Sequence, residues 1–172
     1  MNAKTCFLVL LIGAATFAAP LASRASDSLY EASKAHSVSP DLQKILGPKS
    51  GGLHYDARMI RAAEIAQQRA EPRMTWYCWR YVKNALIEAG VVTSRPSSPW
   101  AKQAGDELCR KYGFVKLDRV HSPLDAPVGA VLVYGGADAG HVEIRTAWGF
   151  ASDFTSRTPY PRPFIGAYVK PS

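Results

Sequence analysis

Cys78, His141 and Asp153 are the side chains whose types and setting could together do covalent chemistry. Acyl transfer needs a nucleophile, a base that takes its proton, and a group that orients the base. A free thiol, with a pKa of about 8.5, is mostly protonated at neutral pH. The head of a helix favours the thiolate, because unpaired N–H groups and the positive end of the helix dipole lie there. Residues 74–90 predict such a helix: Thr75 is the expected N-cap and Gly90 the C′ residue. Cys78, Val82, Ala85, Leu86 and Ala89 fall on one apolar stripe, while Arg80, Lys83, Asn84 and Glu88 lie away from it. That places Cys78 in the first turn. The competing reading is a small buried hydrophobe, which is what most free cysteines are.

The base comes from a strand. In Gly140-His141-Val142-Glu143-Ile144-Arg145-Thr146, Val142 and Ile144 face one way, and His141, Glu143 and Arg145 the other. A return strand over 150–155 alternates as well. Pairing the apolar faces requires the three-residue loop Ala147-Trp148-Gly149 and sets Asp153 on the His141 face. A two-residue loop would set Ser152 there instead. Ser152 therefore stands as a rival to Asp153 for orienting the imidazole. Taken alone, His141 is equally a surface histidine at a strand edge.

Stepping along the chain, a helix is expected over 55–70, with Asp56 as cap and Met59, Ala63, Ala66 and Ala70 as stripe. Another should open at Ser98-Pro99, bury Trp100, Ala104, Leu108 and Tyr112, and end at Gly113. Short strands follow over 114–117, 131–134, 142–146, 150–155 and 165–169, punctuated by Gly and Pro. Helices first and strands after indicate an α+β fold, N-terminal helices packed on a C-terminal antiparallel sheet. Residues 26–54 read as a leader or wrapping segment, with at most a short helix over 42–46.

The first residues read as an address. Lys4 precedes an apolar run over 7–19, too short to span a bilayer comfortably, and Ser23-Arg24-Ala25 offers a cleavage site before Ser26. Residues 1–25 are thus an expected signal peptide, and 55–172 the expected catalytic domain. Cys6 precedes the apolar run, which rules out a lipoprotein signal. The formal net charge is +7. Losing Lys4 and Arg24 leaves 19 basic and 14 acidic side chains, a net of +5. That excess suits an anionic surface such as cell wall, or an ordinary solvated one. No basic run or motif suggests a nucleic-acid partner. After processing, Cys78 and Cys109 remain, and in an oxidising compartment they could pair. Cys109, beside Arg110 and Lys111, otherwise reads as a half-buried bystander.

The ordered motifs Tyr77-Cys78-Trp79-Arg80-Tyr81-Val82, Pro127-Val128-Gly129-Ala130-Val131-Leu132-Val133-Tyr134 and Gly140-His141-Val142-Glu143-Ile144 resemble those of CHAP domains, the cysteine- and histidine-dependent amidohydrolases/peptidases. The resemblance covers residues 75–169. It departs at Ala130, where an acidic residue is common, and at Tyr77, where a polar amide often precedes the cysteine. The backbone N–H of Cys78 is then the one oxyanion donor the sequence names. In families of this kind the acid partner is less fixed than the Cys and His, so Glu143 and Ser152 stay as rivals to Asp153. The resemblance implies a papain-like fold and hydrolysis of peptide or amide bonds in peptidoglycan, as an endopeptidase or amidase, by Cys78 with His141 as base. It implies an exported bacterial protein, periplasmic or secreted, monomeric, with no cofactor and no membrane span once processed. The alternatives are a wall-binding module of the same fold without turnover, and a zinc site from Cys78, Cys109 and His141. The zinc site lacks a close ligand pair.

Overall fold

The computed structural model describes residues 49–50 and 52–172. The expected signal segment 1–25, nearly all of the 26–54 segment, and its short helix over 42–46 lie outside them. Two brief strands, β1 (Lys49–Ser50) and β2 (Leu53–His54), form a hairpin of their own. Tyr55 then bridges to Pro171 and its hydroxyl donates to the Val128 carbonyl at 2.8 Å, tying this entry to the end of the chain.

Helix α1 (Arg58–Arg69) follows, its Arg58 N–H held by the Asp56 carboxylate at 2.9 Å. It buries Met59, Ala62, Ala63, Ile65 and Ala66. Helix α2 (Cys78–Glu88) begins at the cysteine itself. Thr75 does not cap it as expected: the residue at the cap is Tyr77, no side chain of that residue closes the helix, and the Thr75 hydroxyl is engaged elsewhere. The far end is as read from sequence. Gly90 takes a φ of 70°, and the Val91 N–H reaches back to the Leu86 carbonyl at 2.9 Å. Arg58 donates to the Gly90 carbonyl at 2.6 Å, so the start of α1 clasps the end of α2.

Ser98-Pro99 does not open a helix directly. A 3₁₀ turn (Ala101–Gln103) precedes α3 (Ala104–Tyr112), which Gly113 ends at a φ of 73°. Trp100 is extended and half-exposed, not part of the buried stripe, because i+4 spacing means nothing before the helix begins. Ala104 and Leu108 are buried as expected.

Six strands make one antiparallel sheet: β3 (Val115–Lys116), β4 (Val131–Tyr134), β5 (His141–Thr146), β6 (Gly149–Ala151), β7 (Thr155–Ser156) and β8 (Phe164–Val169), in the spatial order β3-β8-β4-β5-β6-β7. The fold is α+β. Helices α1 and α2 pack on each other and on β5, while α3 packs on β4 and β8. Every residue of β4 is buried, so the centre of the sheet is covered on both faces. Gly105 of α3 lies so close to the Tyr168 ring that an added Cβ would sit 2.2 Å from it.

The hairpin register corrects the three-residue loop expected from sequence. Thr146 pairs with Gly149, Arg145 with Phe150 and Ile144 with Ala151, leaving a two-residue loop, Ala147-Trp148. A slip of one residue exchanges the faces of the whole return strand. Gly149 permits the tight geometry, since a Cβ there would lie 2.2 Å from the Ser156 carbonyl oxygen. After Ala151 the chain leaves the ladder: the Ser152 N–H donates to the Phe154 carbonyl at 2.9 Å, and Phe154 bridges to Glu71. Asp153 therefore sits in a turn and not opposite His141 on a strand.

Candidate active site

Helix α2 presents Cys78 at its first position, half-buried, and β5 presents His141 at its first position, 4% exposed. Because α2 packs directly on β5, the two heads meet. The Cys78 thiol and the imidazole line the same cleft, and the thiol helps to raise the imidazole pKa. Both cysteines of the described residues are free, and Cys109 is half-buried against the core. Burial pushes the Cys109 thiol pKa up, the opposite of what a nucleophile needs.

The other imidazole nitrogen meets a carboxylate, but not the one expected. His141 Nε2 lies 3.4 Å from Glu143 Oε2, an ion-pair distance and not an aligned hydrogen bond; Nε2 has no hydrogen-bond partner. Catalytic hydrogen bonds of this kind are often long until substrate is bound. Glu143 is itself buried and braced. Tyr134 donates to its Oε1 at 2.6 Å, and the Tyr160 N–H approaches the same oxygen at 3.5 Å. Burial, and then the Glu143 charge, push the Tyr134 phenol far above its ordinary value, so it stays a donor.

An aromatic enclosure fixes the ring plane. Tyr160 stacks on His141 with centroids 3.8 Å apart and planes 20° apart, while Tyr134 and Phe154 lie at 5.9 and 6.2 Å. Desolvation in this enclosure pulls the imidazole pKa down, but the neighbouring Cys78 thiol and Glu143 carboxylate outweigh it and raise it from 6.5 to about 9. The site is built to hold an imidazolium.

Asp153 is 0% exposed, yet its carboxylate serves the approach to Cys78 instead of His141. Oδ2 accepts the Thr75 N–H at 2.6 Å, the Thr75 hydroxyl at 2.9 Å and the Tyr77 N–H at 3.3 Å; Oδ1 accepts the Ser152 hydroxyl at 3.1 Å. Ser152, the other rival, is spent on Asp153. Of the three candidates for orienting His141, Glu143 is the one the fold brings to it. Its place two residues along the same strand face was readable; its burial was not, because alternation alone suggested an open face.

Cys78 and His141 lie in a cleft of about 490 Å³. Arg80, Lys83, Arg95 and Arg162 contribute cations to it, against Asp138 and Asp153. Asp138 is paired with Arg162 and Asp153 is saturated by donors, so the open charge of the cleft is positive. One wall, Ser97-Ser98, is pinned from behind. Glu107 accepts the N–H groups of Ser97 and Ser98, each at 2.7 Å, and the Ser98 carbonyl accepts from Lys83 Nζ at 2.7 Å and Trp79 Nε1 at 3.1 Å. Sequence reading missed Glu107, Tyr134 and Tyr160, whose parts depend on contacts between distant segments. Among the described residues, no group of three or more His, Cys, Asp and Glu is placed to hold a metal ion, and no helix is long and apolar enough to cross a membrane.

No family model and no curated protein sequence matches the chain. Among solved structures it is similar to a chain of the type VI native effector–immunity complex Tae3–Tai3 from Ralstonia pickettii. The two are 28% identical, with a TM-score of 0.54, over 65% of this chain and 98% of that one.

Proposed function

We propose that this protein is an exported thiol hydrolase of papain-like, CHAP-like type that cleaves peptide or amide bonds of peptidoglycan. The observation that carries the reading is Cys78 at a helix head, sharing a cleft with a buried His141 that has the Glu143 carboxylate behind it. The similarity to a chain of an effector–immunity pair is compatible with it, since a wall-cutting activity is one that an immunity partner would have to restrain. The positive cleft suits a wall peptide, whose free carboxylates are anionic. Delivery to the envelope rests on the apolar run over 7–19 and the small residues before Ser26.

His141 takes the Cys78 proton, and the thiolate attacks the carbonyl carbon, forming a C–S bond while the carbonyl electrons move to oxygen. The backbone N–H of Cys78 is the donor nearest in sequence to that oxyanion. The oxyanion collapses, the C–N bond breaks, and the amine leaves with the proton held by His141. Water, losing a proton to the neutral imidazole, then attacks the thioester; the acid departs and the thiol is reformed. Glu143 keeps the imidazolium favourable through both proton transfers, and Tyr160 keeps the ring from turning.

Digesting purified peptidoglycan with the full chain and weighing the fragments tests the reading. The expected result is a new amine and a new carboxyl at one bond of the stem peptide. Intact wall that is bound but never cut would instead identify a binding module.

A further inference from the structure

Trp76 is the one non-glycine among the described residues with a positive φ, 69°. It is also 78% exposed and lines the cleft two residues before Cys78. A bulky aromatic in the left-handed region is strained, and persists only where its surroundings over-determine it. The surroundings here are a single carboxylate. Asp153 Oδ2 accepts from the residue before Trp76, through the Thr75 N–H and hydroxyl, and from the residue after it, through the Tyr77 N–H. Tyr77 is gripped from its other side too, because its carbonyl accepts the Tyr81 N–H at 3.2 Å in the first turn of α2. The Asp153 backbone is fixed in turn: its carbonyl accepts the Glu71 N–H at 2.8 Å.

From this we infer that Asp153 is a positioning residue for the nucleophile: by bracketing Trp76 it holds the chain in the left-handed turn that aims the head of α2, and Cys78 with it, at His141. The carboxylate does for α2 what no residue of its own cap does, supplying acceptors for backbone N–H groups just outside the helix. The burial of Asp153 then needs no role as partner of His141. The turn also explains why the strained residue stands where it does: an extended residue 76 would carry Tyr77, and the helix start, off the line of β5.

This rests on the thiol mechanism above, and the test separates the two. The full-length protein is compared with Asp153→Asn in two backgrounds, Trp76 and Trp76→Gly, glycine being free to take a positive φ. Two rates are read: peptidoglycan hydrolysis, and alkylation of Cys78 by iodoacetamide near neutral pH, which needs no substrate. In the Trp76 background, Asp153→Asn is expected to slow both rates by roughly tenfold or more, the scale of one strained residue. In the Trp76→Gly background the same change should cost less than about threefold, the strain having gone. Trp76→Asn, which also tolerates the left-handed region, is the second relieving variant should the glycine alone loosen the turn. The pH at which alkylation sets in should stay put in Asp153→Asn, since the carboxylate does not touch the imidazole. Equal losses in both backgrounds, or a displaced pH profile, would overturn the inference and leave hydrolysis standing. A wild-type chain that alkylates fast and obeys the cycle but cuts no wall would do the reverse.

Discussion

At the scale of single residues, the site separates two carboxylates that the sequence presents as rivals. Glu143 faces His141 from a buried seat braced by Tyr134; Asp153 faces the backbone ahead of Cys78. Their substitutions should therefore differ in kind. Glu143→Gln removes the charge that helps raise the His141 pKa to about 9, so the alkaline limb of kcat/KM should move to lower pH. Turnover should fall by roughly a hundredfold, the low end of what a general acid–base group contributes. Rate–pH profiles of the two variants check this, and an unmoved limb in Glu143→Gln would return the imidazole to another partner. That Cys78 heads a helix and His141 a strand was legible in the sequence, because both elements are strongly patterned. The third partner was not: whether Asp153 or Ser152 faces His141 hung on whether Gly149 belongs to the loop or to the strand. The Ser156 carbonyl decides that through close approach, and no local pattern records it.

Among the elements, α2 and β5 were readable nearly to the residue, because the 3.6 and 2.0 periods in them are undisturbed and Gly90 marks the helix end. The start of α3 was not, since Trp100 imitates its stripe from an extended segment. What seats α3 is Gly105 against Tyr168 of β8. Gly105→Ala should destabilise the protein by about 1–3 kcal/mol despite the better helix propensity of alanine, because the ring must give way inside the core. Thermal unfolding decides it; a rise in Tm would mean the ring has room to move. Glu107, also on α3, reaches across to pin the Ser97-Ser98 wall of the cleft. Glu107→Gln keeps the shape and loses charge-assisted bonds, so it should raise KM more than it lowers kcat. Steady-state kinetics on soluble wall fragments distinguish that from a general loss of fold, which would lower kcat with the fraction of active protein.

For the whole molecule, the charges that build the site also set its pH range. Burial pushes the Glu107 carboxyl up, but the bonds from Ser98, Ser97 and Lys111 more than reverse this and hold it well below the usual range; Asp153 is lowered against burial by Thr75 and Ser152. Both carboxylates contribute stability that is present above the unfolded carboxylate range and lost as pH falls through their folded values. His141, raised to about 9, contributes stability that is complete below its unfolded value of 6.5 and lost as pH rises through about 9. Stability should therefore peak between about pH 5 and 6.5 from these groups. Melting temperatures across pH should show Glu107→Gln flattening the acid side alone; an unchanged acid side would remove Glu107 from the account. The α+β layout, helices before an antiparallel sheet, followed from the order of periodicities along the chain. The cover on both faces of the sheet did not, because it comes from segments far apart in sequence. Whether Cys78 is the nucleophile of a wall hydrolase is decided by the release of peptide fragments from purified peptidoglycan by the wild type and by Cys78→Ala. Release by the wild type is expected, and none above background from Cys78→Ala, with thermal unfolding nearly unchanged. Fragments released at the wild-type rate by Cys78→Ala would contradict it.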